Sequence, residues 1–437
     1  MSPRELLSGG LFTASSVQSG LGHACVLRAC APVETLAGVK VLVVGSGGRE
    51  HALVWALSRS PLLTELHAAP GNPGIAALAS CHPARADDPA SIVPLAFELG
   101  VDLVVVGPEA PLVAGLADEL RSRGVAVFGP SAEAARIEGS KTFAKEVMEA
   151  AGVPSARVLD EARPPCVVKA DGLTAGKGVW VCRTQVELDD ALRAVEALAQ
   201  PFHVEELLEG GEVSVFALCD GSRALPLASA QDYKRAGDDD TGPNTGGMGA
   251  FSPRLSAAGV REIVETVHVP VLEELAQRRT PFLGTLYAGL MLTEDGPRVL
   301  EFNCRFGDPE TQVVLPLVEG DLLEALAAAA SGDVRGVVAA PSGRGAVVVV
   351  LAGGDYPQRG DSGTRIDGVE AAEHAGALVL HAATALHDGQ LVTNGGRILN
   401  VVAVADTVAD ARADAYRAVA HIDFAGMRYR ADIARDA

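Results

Sequence analysis

The feature that most constrains this chain is a short apolar run that stops on glycine, repeated along its first third. Val39–Val44 runs into Gly45-Ser46-Gly47-Gly48, Val101–Val106 into Gly107-Pro108-Glu109, and Val125–Phe128 into Gly129-Pro130. Runs without polar alternation suit strands covered on both faces, as in a parallel sheet. Stretches with helical spacing lie between them: Arg49–Ser58, with Ala52, Trp55 and Ala56 on one side, and Leu112–Arg123. Leu62–Ala68 supplies a further strand. This alternation predicts a doubly wound α/β domain whose ligands sit at the carboxyl ends of the strands.

The texture then changes. Ala132–Ala151 reads as a helical connector, and Cys166–Ala170 and Val179–Cys182 as a hairpin around the Gly-rich tip Asp171–Gly178. A helix is expected over Leu188–Ala199, and strands over Phe202–Glu205, Glu212–Cys219 and Arg223–Ser229. Gln231–Pro253 is polar, Gly-rich and too long for a simple connection, the mark of a functional loop. Tyr287–Leu292 and Arg298–Phe302 form another hairpin, and Leu322–Ala330 a helix. Beyond Pro341 come strands at Ala346–Ala352, Ala377–Ala382 and Ile398–Ala405 and a helix near Val408–Ala420. With 437 residues, 48% of them apolar, the chain can fill more than one core. The expected divisions are a disordered extension over 1–38, a substrate domain over 39–140, a central domain over 141–336 with a small subdomain at about 154–228, and a C-terminal α+β domain over 337–437.

Lys plus Arg is 36 against 56 Asp plus Glu, a formal charge of −20. That sign excludes a protein held on nucleic acid or an anionic membrane by its overall field, while leaving room for a local basic pocket. Aromatic residues are scarce, which argues against base-stacking modules. The seven cysteines form no CxxC, the pattern of reduced thiols in a cytoplasmic protein. No stretch is long and apolar enough for a membrane helix, and the first 38 residues lack a secretory pattern.

Three motifs carry chemistry. Gly45-Ser46-Gly47-Gly48 resembles the start of a dinucleotide fingerprint, but Glu50 stands where the third glycine belongs. A phosphate on the backbone amides of this turn fits better than a dinucleotide. The tip Lys169–Gly178 has three glycines and Lys177, enough to fold amides over anionic oxygens, although the Walker spacing is absent. An inward Lys169 on an apolar strand argues against a mere surface hairpin. In Glu301-Phe302-Asn303-Cys304-Arg305, alternation puts Glu301, Asn303 and Arg305 on one face. Carboxylate and amide oxygens are ligands for Mg²⁺, and the arginine can fork onto a carboxylate or phosphate. The alternative is a solvated strand face with an internal ion pair; the adjoining Gly307-Asp308-Pro309-Glu310 favours the site. No histidine spacing suits a metal, and Cys304 is explained by packing.

Taken in order, Gly45–His51, Ala69–Gly74, Gly107–Leu112, Glu138–Lys145, Lys169–Val179, Gln231–Pro253, Glu301–Gln312 and Thr393–Arg397 resemble the phosphoribosylamine–glycine ligase family of the ATP-grasp superfamily, from Val39 to the end. The resemblance implies an ATP-grasp central domain with a lid, and ligation of glycine to 5-phosphoribosylamine through glycyl phosphate, using ATP and Mg²⁺ or Mn²⁺, by a monomer. It places Lys141, Lys169, Gly172, Gly176, Lys177 and Gly178 around the ATP phosphates, and Glu205 with the backbone of Glu206 and Leu208 at the adenine. Glu212 goes to the ribose and Glu301 and Asn303 to the metal. Arg305, Lys234 and Arg235 face the acyl phosphate. Phosphoribosylamine falls to Gly47, Gly48, Arg49, Gly71, Asn72, Pro108, Glu109, Asp232, Asn244, Thr245, Gly246 and Asp308. The chain departs from the pattern in its first 38 residues and in a lid shortened between Val153 and Cys166 and between Ala199 and Val204. The alternatives are an ATP-grasp ligase for another acid or amine, and a nucleotide-binding protein inactivated by its short lid.

Overall fold

The computed structural model describes residues 38–173 and 178–437. The expected extension over 1–38 therefore lies almost wholly outside the described residues, as do Gly176 and Lys177.

The first sheet is parallel, in the order Ser80–Cys81, Leu63–Pro70, Val39–Gly45, Leu103–Val106, Ala126–Phe128. The unbroken apolar runs are explained by what lies on either side. Val41 and Val43 enter one buried cluster with Leu53 and Leu57 of the helix Gly48–Leu57. Leu42 and Val44 enter another with Ile92 and Leu120, from the helices Pro89–Leu99 and Leu116–Ser122. With both faces covered, neither parity of side chain can be polar. The single helix expected over Leu112–Arg123 is two, because Gly115 turns left-handed (φ +87°) between Glu109–Val113 and Leu116–Ser122. The connector over Ala132–Ala151 is likewise broken. Ser140 is extended and its Oγ accepts from Phe143 N, ending Ala132–Gly139 and capping Lys141–Ala150.

The lid region is a three-stranded antiparallel sheet, Val179–Cys182, Cys166–Ala170 and Phe202–Glu206, backed by the helix Gln185–Ala197. Its core, including Cys166, Val168, Cys182, Leu188 and Val195, is separate from the larger clusters. The other large sheet has eight strands. Gly296–Asn303, Leu283–Thr293, Gly211–Asp220, Ala224–Asp232 and Gly249–Ser252 are followed, without interruption, by Gly345–Ala352, Arg397–Ala405 and Leu378–His381. The ladder thus crosses the division expected near 337, through pairs such as Ala250 with Val348. The segment 231–253 is more ordered than a loop. It ends one sheet strand at Asp232, forms a hairpin of Arg235–Gly237 with Thr241–Asn244, and re-enters the sheet at Gly249. No helix among the described residues is long and apolar enough to cross a membrane.

Candidate active site

The strand Gly296–Asn303 leads the functional residues out of the sheet. Phe302, Cys304 and Phe306 are buried, while Glu301, Asn303 and Arg305 are partly open, as alternation requires. The internal ion pair is not formed. Arg305 turns away from Glu301, its Nη2 2.8 Å from Glu138 Oε1 and its Nε 3.2 Å from Glu109 Oε2. Burial raises the Glu138 carboxyl, and although Arg305 pulls it back the net shift is upward. Burial also raises Glu109, but Arg305 and Arg49 outweigh it and the net shift is downward. Glu301 and Asn303 make no side-chain hydrogen bond or ion pair among the described residues, unlike nearly every charged group around them.

A basic cluster faces them. Lys169 Nζ is 2.7 Å from Glu205 Oε2 and donates to Leu300 O at 2.9 Å. Lys145 Nζ lies 2.9 Å from Glu205 Oε1, and His203 Nε2 is 3.0 Å from that same oxygen. Burial would raise the Glu205 carboxyl, but His203, Lys169 and Lys145 more than reverse this and hold it at about 2. Both carboxylate oxygens are thus engaged by cations and His203, and Glu205 organises the two lysines. Lys145 was missed by sequence reasoning, although its i, i+4 spacing from Lys141 on one helix face was a usable signal. Lys141 donates from Nζ to Gly172 O at 3.3 Å and from its backbone N to Asp171 Oδ1 at 2.6 Å. Burial lowers the Lys141 ammonium, against the pull of Glu301. Gly178 O accepts from Ala170 N and closes the base of the hairpin.

At the end of the lid strand Phe202–Glu206, the Glu206 carboxylate is held by Arg157 and Arg298, and its backbone N–H donates to Arg157 O. Leu208 follows in the link to Gly211. Glu212 accepts from Lys234 Nζ at 2.8 Å, and Asp232 Oδ1 is 3.8 Å from the same ammonium. Burial raises the Asp232 carboxyl to about 7; Lys234 opposes this, while Glu310, Glu212 and Glu301 add to it. Arg235 does not join Lys234. It is exposed and donates to Gly242 O at 2.8 Å, on the opposite side of its strand. Its strand partner Asn244 is exposed too.

At the strand ends of the first domain, Glu50 resolves the fingerprint question. Its carboxylate turns back to accept from Gly47 N at 2.6 Å and from Arg49 Nε at 2.6 Å. A Cβ on Gly107 would lie 2.1 Å from Glu50 Oε1. The protein's own carboxylate occupies the helix N-terminus where a pyrophosphate would rest, and it also takes the Gly47 amide expected to receive a phosphate. Arg49 reaches Phe306 O at 3.2 Å, the carbonyl that Arg305 Nη1 also contacts at 3.2 Å. The structure gives several predicted substrate residues other work. Asn72 Nδ2 donates to Ser46 O and His381 O, so both amide hydrogens are taken. A Cβ on Gly48 would meet Asn400 Nδ2 at 2.3 Å, and one on Gly71 (φ +72°) would meet Cys81 Sγ at 2.4 Å. Gly48 and Gly71 thus stand where no side chain fits, and Asn72 braces the turn beside them.

Pro108 is the N-cap of the short helix that carries Glu109. Asp308 lies near the glycine turn, since a Cβ on Gly47 would be 3.8 Å from its Oδ2. It pairs with Arg397 Nη2 at 2.8 Å, and Arg397 also donates to Gly246 O and Asp308 O. Thr245 Oγ1 donates to Lys234 O. Arg397 thus ties the 231–253 segment to the Asp308 turn; it belongs to Thr393–Arg397, a stretch from which sequence reasoning singled out no residue.

Three domain models of one family match in order. The phosphoribosylglycinamide synthetase N domain covers 39–138, the ATP-grasp (A) domain 139–311 and the C domain 346–436. The chain belongs to the phosphoribosylglycinamide synthetase family. It is 50% identical over 417 residues to a phosphoribosylamine–glycine ligase of Streptomyces coelicolor, covering 91% of this chain and 99% of that one. It is 47% identical over 419 residues to the one from Corynebacterium ammoniagenes, covering 91% and 98%. The crystal structure of the Thermotoga maritima phosphoribosylamine–glycine ligase superposes with a TM-score of 0.79 at 32% identity, covering 91% of this chain and all of that one. ATP use follows from the ATP-grasp domain of the family.

Proposed function

We propose that the protein ligates glycine to 5-phosphoribosylamine with ATP, forming glycinamide ribonucleotide, ADP and phosphate. The observation that carries the reading is Glu301 and Asn303, uncommitted on one strand face beside Lys141, Lys169 and Arg305, in a chain of this family. A glycine carboxylate oxygen attacks the γ-phosphorus, the bond to the β,γ-bridging oxygen breaks, and ADP leaves. The amine nitrogen of phosphoribosylamine then attacks the acyl carbon, phosphate departs with the former carboxylate oxygen, and the nitrogen loses a proton. Such chemistry depends on alignment and charge neutralisation.

Lys141 and Lys169 approach the phosphates, with Lys169 set by Glu205 and Gly172 beside Lys141. The backbone of Glu206 and Leu208 offers an edge for adenine, and Glu212 lies in position for the ribose. Glu301 and Asn303 fit Mg²⁺ or Mn²⁺, since oxygen donors are what these ions take; no group of three or more acidic, His or Cys side chains among the described residues could hold a metal without help from the phosphates. Such an ion supplies neutralisation of phosphate charge during transfer. Arg305, held by Glu109 and Glu138, meets the acyl phosphate, and Lys234, within reach of the Glu301 charge, adds a second cation. Asp232, beside Lys234, lies toward phosphoribosylamine. Glu109, Arg49, Thr245, Gly246 and Asp308 lie toward phosphoribosylamine. ADP release from purified protein with ATP, Mg²⁺, glycine and freshly generated phosphoribosylamine tests this reading. Equal turnover with another amino acid overturns the substrate assignment, and nucleotide binding without turnover overturns the enzyme.

A further inference from the structure

Lys234 is half-exposed, yet the backbone on either side of it is gripped by a residue from the far end of the chain. Arg430 is 1% exposed, close to two hundred positions away in sequence, and in no motif that sequence reasoning singled out. Its guanidinium stacks on Tyr233 with 4.9 Å to the ring centroid. Its Nη1 donates to Arg235 O at 3.2 Å and to Asp240 Oδ1 at 2.8 Å. One side chain therefore touches the residue before Lys234, the residue after it, and the turn of the hairpin.

Arg430 is itself set firmly. Asp432 takes its Nε at 2.8 Å and its Nη2 at 2.6 Å, the two-pronged geometry that fixes a guanidinium plane. Its carbonyl accepts from Tyr416 Oη at 2.7 Å, and Arg412 donates to Ala431 O and Ile433 O, so the helix Val408–Val419 anchors the segment. Backbone contacts continue the grip. Ala431 N donates to Asp238 Oδ1 at 2.8 Å, Asp239 N to Asp432 Oδ2 at 2.9 Å, and Ala434 N to Tyr233 Oη at 2.9 Å. The other ties of this polar hairpin among the described residues include its own short ladder, Thr245, Arg397, Tyr356 Oη on Gly246 N and Arg435 on Asp239.

We infer that Arg430 is a positioning residue for the 233–247 hairpin, locking the backbone that presents Lys234 to Asp232 and Glu212. The inference rests on the reading that this hairpin faces phosphoribosylamine, but its structural half stands apart from that reading. Arg430 touches no reacting atom. Its effect should appear chiefly in the amine half-site, reaching the nucleotide only through the Lys234–Glu212 pair and leaving the cluster of Lys141, Lys169 and Glu205 in place.

The test uses the full-length protein with Arg430→Lys, which keeps the charge but loses the fork, and Asp240→Asn. Asp240 turns left-handed (φ +52°), a conformation asparagine also tolerates, and its side chain is 73% exposed, so the change weakens the outer contact without straining the turn. Amide hydrogen exchange should quicken across 233–247 in both variants, and more in Arg430→Lys, while the lid amides keep their rates. KM for phosphoribosylamine should rise about tenfold in Arg430→Lys and less in Asp240→Asn, the range set by losing a charged hydrogen bond. ATP affinity measured by equilibrium binding should fall by a clearly smaller factor, through the Lys234–Glu212 pair alone. Unchanged exchange across 233–247 in both variants overturns the inference, as does an equal loss of ATP affinity, which marks a general loosening. If the unmodified protein does not use phosphoribosylamine, the ligase reading falls alone, and the exchange measurement still decides the role of Arg430.

Discussion

Replacing Glu301 by Gln separates a working metal site from a solvated strand face. The side chain is partly open and has no ion pair or hydrogen bond to lose among the described residues, so folding should hardly notice the change. Surface substitutions of this kind move stability within about 0.5 kcal/mol. Activity is another matter. An amide offers a cation only a dipole where the carboxylate offered full charge, and the loss falls at the moment charge shifts between phosphate and carboxylate. Losing one such electrostatic contact costs about 10²–10³ in rate, or about 2.7–4 kcal/mol of barrier. Steady-state kinetics at saturating Mg²⁺ and a denaturation curve together make the assay. A variant with near-normal kcat would refute the reasoning and remove Glu301 from the site.

Other outcomes follow from the same geometry. Glu205→Gln leaves Lys145 and Lys169 buried without their counter-charge and should cost about 3–5 kcal/mol; an unchanged denaturation midpoint counts against the cluster as described. Arg397→Lys should raise KM for phosphoribosylamine with ATP affinity preserved, since one ammonium cannot span Gly246 O and both Asp308 contacts; equal kinetics would exclude the tie. Burial lowers His51 to about 3, helped by His381, and lowers His381 to about 4. Their folded-state values lie below the unfolded value, so the stability they contribute is complete above about pH 6.5 and is lost as pH falls toward 4. At pH 5 the loss is about 2 kcal/mol per histidine. His51→Gln should flatten the fall in melting temperature between pH 7 and pH 5, and an identical slope would contradict the assignment.

What the sequence disclosed, and what it hid, divides by range. The strand Val39–Gly45 was legible because its environment is symmetric and every position must be apolar. Glu301, Asn303 and Arg305 were legible as one face because alternation is local. The partners of Arg305 were not, since Glu109 and Glu138 stand 196 and 167 positions away. Glu50 was seen to break the fingerprint, but its role in closing the turn depends on a rotamer that no pattern encodes. Ser140 had a readable signal, a serine before Lys-Thr-Phe, and it lost to the apolar periodicity on either side. Asp171, which caps the same helix from the lid hairpin, had none.

The eight-stranded sheet bears on how such a chain can be divided. Family domains end at 311 and resume at 346, which suggests a modular C-terminal piece. Yet Gly345–Ala352 is buried throughout, and its hydrogen-bonded neighbours are Gly249–Ser252 on one side and Arg397–Ala405 on the other. Excision near 337 would strip one side of that strand and the matching side of its partner, exposing two naked apolar edges of the kind that template aggregation. The sequence modules are therefore not independent folding units, and a gene fragment cut at the module boundary would yield sticky halves where the intact chain has a single continuous ladder.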